Sequence, residues 1–444
     1  MDGRLIKDIA KKLYPFDYSI TGEGSREAVD AFREFADFDI HTYASGKELR
    51  GWRIPVGWRA KKALVLHKGE VWYDCLKSTP LGCAYLSPSF SGRVTKEELL
   101  NHCAWREDQP DAIVYDWTRL YRQNEQTKWG LSIPWNVFTE APEAELEVEI
   151  ETEQYESTMY VLDLKIQGQV DDEILISAHN CHPFQANDDI SGCATALALF
   201  KYSLSVRENY FTYRLLIGPE LFAPLFWLEE FAENAKLIKS VVLLKSVGND
   251  AQMKIQNSFT GTHTIDQIAK AAAEECTEDE SPIPFHQFRS YYGNDETVFE
   301  APGFEIPTIT LTRFPFPEYH TDLDTPDKLN TQRLAHSYRL LHAIVDIVET
   351  NKYASAVETG LFCLSHPSFN LYRSAPEPGI SSRGNSAMEK KWNLLMNCLS
   401  RELSSGLSIL EISLKYKINY SLLREYVNEW ESCGIVRLSR SLDL

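Results

Sequence analysis

Three loops of this 444-residue sequence carry side chains that bind metal ions or transfer protons. The first loop, "SAHNCHPFQANDDISG" (177–192), combines two histidines, a cysteine and two aspartates. The second is "GPE" (218–220), and the third is "EYHTDLDTPDKL" (318–329). Imidazole nitrogens and carboxylate oxygens suit zinc, and a catalytic zinc site leaves one coordination position open. The candidate residues are His179, His182, Asp188, Asp189, Glu220, His320, Asp322 and Asp324.

A glutamate beside such a site can accept the proton of the attacking water. Glu220 is placed for this role, because it follows the apolar run "YRLLIG" (213–218). A second interpretation of the first loop stays open. Its letters "ANDDISG" also suit a turn followed by a helix N-cap, with Asp189 or Ser191 as the capping residue. Spacing alone does not separate the two interpretations, since the sequence has no local H-E-x-x-H motif.

The segments around these loops alternate between apolar strands and helices. Buried strands are predicted for "DEILISAH" (172–179), "YRLLIGPE" (213–220) and "IPTITLTRF" (306–314), and a helix for "SGCATALALFKYSLS" (191–205). This alternation predicts an α/β fold, with a mainly parallel mixed sheet flanked by helices. Sites in open α/β sheets form outside the carboxyl ends of the strands, which is where the three loops are expected.

The remaining segments predict further domains. Residues 37–130 are aromatic-rich and interrupted by Pro and Gly, which is typical of a small β-rich unit. We predict that this unit is inserted into the α/β domain, which comprises 1–36 and 131–373, and that it borders the metal site. A segment rich in Pro, Gly and Ser (374–385) predicts a linker. Residues 386–444 predict a winged-helix-like domain, from their order of helix, turn, helix and short strand.

Charge and composition argue against several classes of partner. The net charge of −19 opposes nucleic acid and anionic lipid, so we expect neither a nucleic-acid nor a membrane partner. Residues 386–444 contain eight basic and seven acidic side chains, which predicts a structural or homo-oligomerisation role for this tail rather than DNA binding. Nine cysteines without a C-x-x-C pair, and an N-terminus without an apolar signal region, favour the cytoplasm.

Four motifs, taken in order, resemble a known family. The segments "CHPFQANDDISGCATALALF", "GPE", "GNDETVFEAPGFEIPTITL" and "EYHTDLDTPDKL" resemble those of the family-28 zinc aminopeptidases. The resemblance is greater for a branch with a C-H-P loop, a small inserted domain near the N-terminus and a C-terminal winged helix. That branch is linked to bacterial surface-polysaccharide gene clusters. The resemblance covers nearly the whole chain and implies a zinc aminopeptidase-like fold for the α/β domain.

The resemblance also implies roles for individual residues. Asp188 matches an aspartate that binds metal in the family, His320 matches a late histidine ligand, and Glu220 matches the catalytic base. The early histidine ligand is His179 or His182, and the C-H-P loop favours His182. The implied metal ligands are therefore His182, Asp188 and His320.

Two departures from the family pattern predict one zinc ion rather than two. Leu221 follows Glu220 at the position where the two-metal family has a second glutamate. Lys245, in "LKSVG", stands where the family has an aspartate ligand. A protonated lysine cannot bind a cation and repels it. We expect Lys245 to pair with Asp188 instead, or to hold a negative charge of the substrate.

Three further residues are candidates for supporting roles. Asp295 is predicted to orient His320 or its neighbours, as a carboxylate behind a metal ligand often does. Tyr319, next to His320, and Arg289 are candidates for stabilising the oxyanion or holding the substrate.

The predicted function is that of a metal-dependent hydrolase. The resemblance implies a mono-zinc aminopeptidase-like enzyme that cleaves an amide or peptide bond of a small substrate, in surface-polysaccharide metabolism. Two alternatives stay open. One is an amide deacylase acting on a modified sugar, which would use the same metal centre, and the other is a non-catalytic binding protein with a degenerate metal site.

Overall fold

The structure is a computed structural model and describes residues 1–277, 281–291, 293–373 and 387–440. The predicted linker, 374–385, lies outside the described residues. The chain divides into two compact units. The first unit comprises Met1–Lys254, Tyr292–Ile306 and Thr310–Tyr338. The second comprises Ile255–Tyr291, Pro307–Ile309 and Arg339–Leu444.

A mixed sheet forms the centre of the first unit. Six of its strands, in chain order, are β1 (Asp39–Ala44), β2 (Thr158–Ile166), β3 (Glu173–His179), β4 (Thr212–Gly218), β5 (Ile238–Lys245) and β6 (Thr308–Thr312). They lie side by side in the order β1, β2, β4, β3, β5, β6. β3 pairs in parallel with both β4 and β5, whereas β2 pairs antiparallel with β1 and β4. The predicted α/β fold with a mixed sheet is confirmed.

The central strands are buried because their sequences are apolar on both faces. All seven residues of β3 and all seven of β4 are buried. This is typical of parallel strands covered on both faces by helices. Since β3, β4 and β5 run in the same direction, the loops that follow His179, Gly218 and Lys245 emerge at the same edge. This edge carries the candidate site.

The helices follow the amphipathic or apolar segments of the sequence. Ser191–Tyr202 follows the first loop and is apolar on nearly all sides, so it packs into the core. The other α-helices from the start of the chain to residue 350 are Gly3–Leu13, Glu23–Arg33, Lys96–Asn101, Thr118–Tyr121, Trp135–Thr139, Phe222–Glu230, Ala232–Ala235, Thr264–Glu275, Glu296–Phe299 and Thr331–Thr350.

A smaller antiparallel sheet lies in the first unit. Its strands, in spatial order, are Glu70–Asp74, Gly57–His67, Leu146–Tyr155 and Phe90–Val94. Three of them come from the predicted insert, 37–130, and the fourth comes from beyond it. Conversely, β1 begins the predicted insert but pairs with β2 in the central sheet. Alternating apolar residues identify a strand, but they do not specify which sheet it joins.

The second unit contains the C-terminal helices Ala387–Glu402, Ile409–Tyr416 and Tyr420–Ser432. The strand Val436–Ser439 follows them and pairs antiparallel with Tyr353–Ala356. The last helix is anchored within the unit, because the backbone N–H of Ser421 donates to Oε1 of Glu275 at 2.8 Å. Its apolar residues Leu423, Tyr426, Val427 and Trp430 are buried. Ile255–Gln256 also pairs in parallel with Phe285–His286 in this unit.

Among the described residues, none of the helices combines the length and the apolar character that crossing a membrane requires.

Candidate metal centre

The three polar loops meet at the carboxyl edge of the central sheet. β3 ends at His179 and leads into the loop that contains His182 and Asp188. Glu220 lies two residues beyond the end of β4, and Lys245 is the last residue of β5. His320 comes from the loop after β6. The sheet therefore brings together side chains that are up to 141 residues apart, from His179 to His320.

Two histidines and an aspartate face one another in this cluster. Nε2 of His182 lies 3.5 Å from Oδ2 of Asp188, and Nε2 of His320 lies 3.3 Å from the same oxygen. One ligand atom from each residue falls within 4.8 Å of the others, which is close enough to surround a metal ion. Nε2 of His182 and Oδ2 of Asp188 are buried and have no hydrogen-bond partner among the described residues. Buried polar atoms are rarely left unpaired, and a metal ion would satisfy both.

The orientation of the two histidines suits a metal. Nδ1 of His182 lies 2.9 Å from the carbonyl oxygen of Pro183 and donates to it, so Nε2 is the nitrogen that faces Asp188. Burial lowers the pKa of His320 to about 4, although the nearby Asp188 carboxylate opposes this effect. A neutral imidazole is the form that binds zinc. The donor set of two imidazoles and one carboxylate fits zinc.

Backbone and side-chain donors hold Asp188 in place. The backbone N–H of Asp188 donates to Oδ2 of Asp324 at 3.0 Å, and that of Asn187 donates to Oδ1 of Asp324 at 2.8 Å. Ser246 Oγ lies 3.3 Å from Oδ1 of Asp188. Asp189 instead accepts the backbone N–H groups of Gly192 and Ser246. Asp189 and Asp324 thus fix the loop around Asp188 rather than join the cluster.

Lys245 and Glu220 form the neighbouring half of the site. Nζ of Lys245 lies 2.8 Å from Oδ1 of Asp188 and 3.2 Å from Oε2 of Glu220. Burial acts to lower the pKa of Lys245, but the two carboxylates outweigh burial and hold it well above its usual value. Burial likewise acts to raise the pKa of Glu220, but Lys245, His179 and His320 together outweigh it, so the pKa of Glu220 is lowered. Lys245 is therefore an ammonium beside two carboxylates.

Asn294 is a member of the site that the sequence did not indicate. Its Nδ2 donates a short hydrogen bond to Oε2 of Glu220. Asp295, the next residue, accepts the backbone N–H of Leu221 at 2.6 Å through Oδ1. The role predicted for Asp295, orienting His320 or its neighbours, stays a prediction, and the contact observed here is with the residue that follows Glu220. Together Asn294 and Asp295 position Glu220.

His179, Cys181 and Glu220 form a second group with the spacing of metal ligands. Nε2 of His179 lies 3.2 Å from Oδ1 of Asp188 and 3.6 Å from Oε2 of Glu220. Burial raises the pKa of the Cys181 thiol well above its usual value, which disfavours the thiolate that a metal ion would need. The Lys245 ammonium beside Glu220 repels a cation at this position. The triad of His182, Asp188 and His320 is the better metal site.

The predicted insert contacts the loop that carries His320. Ile113 and Asp322 are joined twice: Ile113 N–H donates to Oδ1 of Asp322 at 2.8 Å, and Asp322 N–H donates to the Ile113 carbonyl at 3.0 Å. Tyr115 N–H donates to the carbonyl of His320 at 2.8 Å. This bond supports His320 in a left-handed conformation, with φ of 55°. The Tyr115 ring also stacks on His182, with ring centroids 4.8 Å apart.

Two candidate residues remain. The Tyr319 ring stacks on the ring of His320 at a centroid distance of 3.8 Å, and the Lys245 ammonium lies 5.7 Å from the Tyr319 centroid. Arg289 belongs to the second unit, where it is exposed in a turn. Tyr319 therefore contacts His320 and Lys245 at the site. The roles predicted for Tyr319 and Arg289, in stabilising the oxyanion or holding the substrate, stay predictions.

Comparisons of sequence match the chain to a family model and to a bacterial relative. A family model described as "Domain of unknown function (DUF4910)" matches residues 7–351. A protein of Clostridium acetobutylicum is 29% identical over 353 residues, which cover 79% of this chain and 79% of that protein. Its description assigns it by inference to polysaccharide biosynthesis and gives it an aminopeptidase-like domain.

Comparisons of structure give the fold. A crystal structure from Clostridium acetobutylicum, assigned by inference as a peptidase, has a TM-score of 0.80 at 25% identity and covers 98% of this chain and 96% of its own. The zinc aminopeptidase BSAP from Bacillus subtilis has a TM-score of 0.56 at 13% identity, covering 78% of this chain and 95% of its own. A peptidase M28 precursor from Shewanella amazonensis has a TM-score of 0.55 at 16% identity, and the match covers 78% of this chain and 93% of its own. The predicted zinc aminopeptidase-like fold is confirmed.

Proposed function

The chain belongs to the family described as a domain of unknown function (DUF4910), and we propose that it is a zinc-dependent hydrolase that cleaves an amide bond of a small substrate. One observation carries the proposal. The cluster of His182, Asp188 and His320, in which the ligand atoms of the buried His182 and Asp188 are unpaired, lies beside a glutamate that is fixed by Lys245 and Asn294. The likeness in fold to zinc aminopeptidases supports it.

His182, Asp188 and His320 would hold a single zinc ion. Zinc supplies Lewis acidity at the scissile carbonyl when it is bound. The nearby Lys245 ammonium takes up the space and the carboxylate charge that a second cation would need. One ion per chain is therefore the proposed stoichiometry.

Glu220 would act as the general base and then as the general acid. Its lowered pKa keeps it ionised near neutral pH, so it can take a proton from water. Its side chain is 19% exposed, whereas those of Asp188 and Lys245 are 0% exposed, so it is the carboxylate that a substrate can reach. The proton it takes is later delivered to the nitrogen of the leaving amine.

The metabolic setting is proposed from the relative in Clostridium acetobutylicum. That protein is assigned by inference to polysaccharide biosynthesis. We place the substrate of this chain in the same area of metabolism, as a small molecule with an amide bond.

The test combines zinc analysis with turnover. Purified protein, loaded with zinc and offered a panel of amino-acid anilides and N-acyl amines, should hydrolyse at least one of them, and a chelator should abolish the activity. Glu220→Gln should keep zinc at the wild-type stoichiometry and lower kcat by about 100-fold or more. Full activity in this variant would overturn the role of Glu220. Bound zinc without turnover on any amide would overturn the proposal and favour a binding protein.

A further inference from the structure

The substrate class follows from how charge is distributed in the site. Lys245 is fully buried and reaches towards the cluster from the end of β5. Above it, Glu220 and His320 are the partly exposed members of the site, at 19% and 17% of their side-chain surface. A substrate that reaches Glu220 and His320 therefore meets a fixed ammonium behind them.

The carboxylates around the site are already engaged by groups of the protein itself. Oε2 of Glu220 accepts from Lys245 and Asn294, and Oδ1 of Asp188 pairs with Lys245. The other buried aspartates near the site each accept backbone N–H groups: Asp189 from Ser246 and Gly192, Asp295 from Leu221, and Asp324 from Asn187 and Asp188.

An enzyme that accepts a free amino terminus needs a carboxylate for the substrate's ammonium. Oδ2 of Asp188 faces the imidazoles of His182 and His320, so it is directed to the metal position. The outer side of Glu220 is needed for the proton of water. Among the described residues named above, no carboxylate is left to bind the ammonium of a substrate. The Lys245 ammonium also repels the ammonium of a substrate.

Building on the hydrolase proposed above, we propose that the substrate is an acylated amine with no ammonium group next to the scissile carbonyl. The activity is then that of an amide deacylase rather than of an aminopeptidase. Water adds its oxygen to the acyl carbon, and Glu220 takes one of its protons. The C–N bond breaks, and the amine leaves with the proton that Glu220 returns. The acyl group leaves as a carboxylic acid, which gives the second proton of the water to solvent and becomes a carboxylate.

A matched pair of substrates tests this. Leucine 4-nitroanilide carries an ammonium next to the scissile carbonyl, and 4-methylpentanoyl 4-nitroanilide is the same molecule without it. Zinc-loaded wild-type protein should show a kcat/KM at least ten-fold higher for the second compound. A preference for leucine 4-nitroanilide, or equal rates, would overturn the inference while leaving the hydrolase proposal intact. Hydrolysis of neither compound, nor of any other amide in the panel, would overturn the hydrolase proposal and the inference with it.

Two measurements link the preference to charge. Lys245→Met should bring the ratio of the two kcat/KM values towards one, and an unchanged ratio would contradict the role of Lys245. With the wild-type protein, raising the pH through about 8 removes the proton from the amine of leucine 4-nitroanilide. The ratio of the two kcat/KM values should then fall towards one, because the repelled ammonium is lost. Effects of pH on the enzyme itself act on both compounds equally and cancel in the ratio. A ratio that stays constant with pH would exclude repulsion of the ammonium as its cause.

Discussion

The ammonium of Lys245 lies 2.8 Å from Oδ1 of Asp188, and both side chains are completely buried. Asp188 therefore directs Oδ1 to Lys245 and Oδ2 to the proposed metal position between His182 and His320. A buried ion pair costs desolvation energy, and it is stable only while both partners are present. The pair makes the site depend on Asp188 for folding as well as for metal binding.

Asp188→Asn should therefore destabilise the metal-free protein. Of the two carboxylates that pair with the buried Lys245 ammonium, only Glu220 remains in this variant. Breaking a buried ion pair costs about 3 to 5 kcal/mol of stability. Adding Lys245→Met should recover most of this loss, because the uncompensated charge is removed. Urea unfolding of the single and double variants in the presence of chelator measures both effects. If the double variant is no more stable than Asp188→Asn alone, the pair does not have the role assigned to it.

Asn294 positions Glu220 through its side-chain amide. Asn294→Ala should lower kcat by about 10-fold, which is at the lower end of the losses seen when groups behind metal ligands are removed. The variant should still bind zinc. Steady-state kinetics with zinc analysis measures this, and Asn136→Ala, which changes an exposed amide, is the control. Wild-type kcat in Asn294→Ala would show that Lys245 alone suffices to hold Glu220.

The predicted insert contacts the His320 loop through Asp322. Asp322→Ala removes the acceptor for Ile113 N–H and should weaken zinc binding by about 10-fold, as loss of groups behind metal ligands commonly does. Competition with a chromogenic chelator gives the affinity. Asp327→Ala, an exposed aspartate in the same loop, should bind zinc like the wild type. Equal affinities in the two variants would mean that the insert does not stabilise the His320 loop.

Two variants of Tyr115 distinguish the contribution of its ring from that of its hydroxyl. The ring stacks on His182, and the buried hydroxyl has no hydrogen-bond partner among the described residues. Tyr115→Phe should therefore keep wild-type stability and zinc affinity, because it removes only an unpaired polar group. Tyr115→Leu should weaken zinc binding, since His182 loses the surface that orients it. A large loss in Tyr115→Phe, measured by thermal unfolding and chelator competition, would contradict this account.

Much of the site could be predicted from the sequence, because its residues end strands of a recognisable α/β pattern. Glu220 and Lys245 follow apolar runs, and such runs predict both the strands and the edge at which they end. The choice between His179 and His182 could not be made from spacing, since both face Asp188 and use different oxygens. Only the three-dimensional arrangement shows that Oδ1 of Asp188 faces Lys245 and His179, whereas Oδ2 faces His182 and His320.

The supporting contacts could not be predicted, because they join distant residues through the backbone. Ile113 and Asp322 are 209 positions apart, and neither belongs to a motif that specifies the other. Asn294 lies next to Asp295 in the motif "GND", and the motif indicates that this segment belongs to the site. The motif does not indicate which of its side chains contacts Glu220. The strand Leu146–Tyr155 was identifiable from its alternation, yet its place in the smaller sheet depends on packing.

The most direct test of the account is a crystal structure of the zinc-loaded protein with an anomalous difference map measured at the zinc absorption edge. We predict one strong peak per chain, bound by Nε2 of His182, the carboxylate of Asp188 and Nε2 of His320, at distances of about 2.0 to 2.2 Å. A peak between His179, Cys181 and Glu220, two peaks of equal height, or no peak at the predicted position would contradict it.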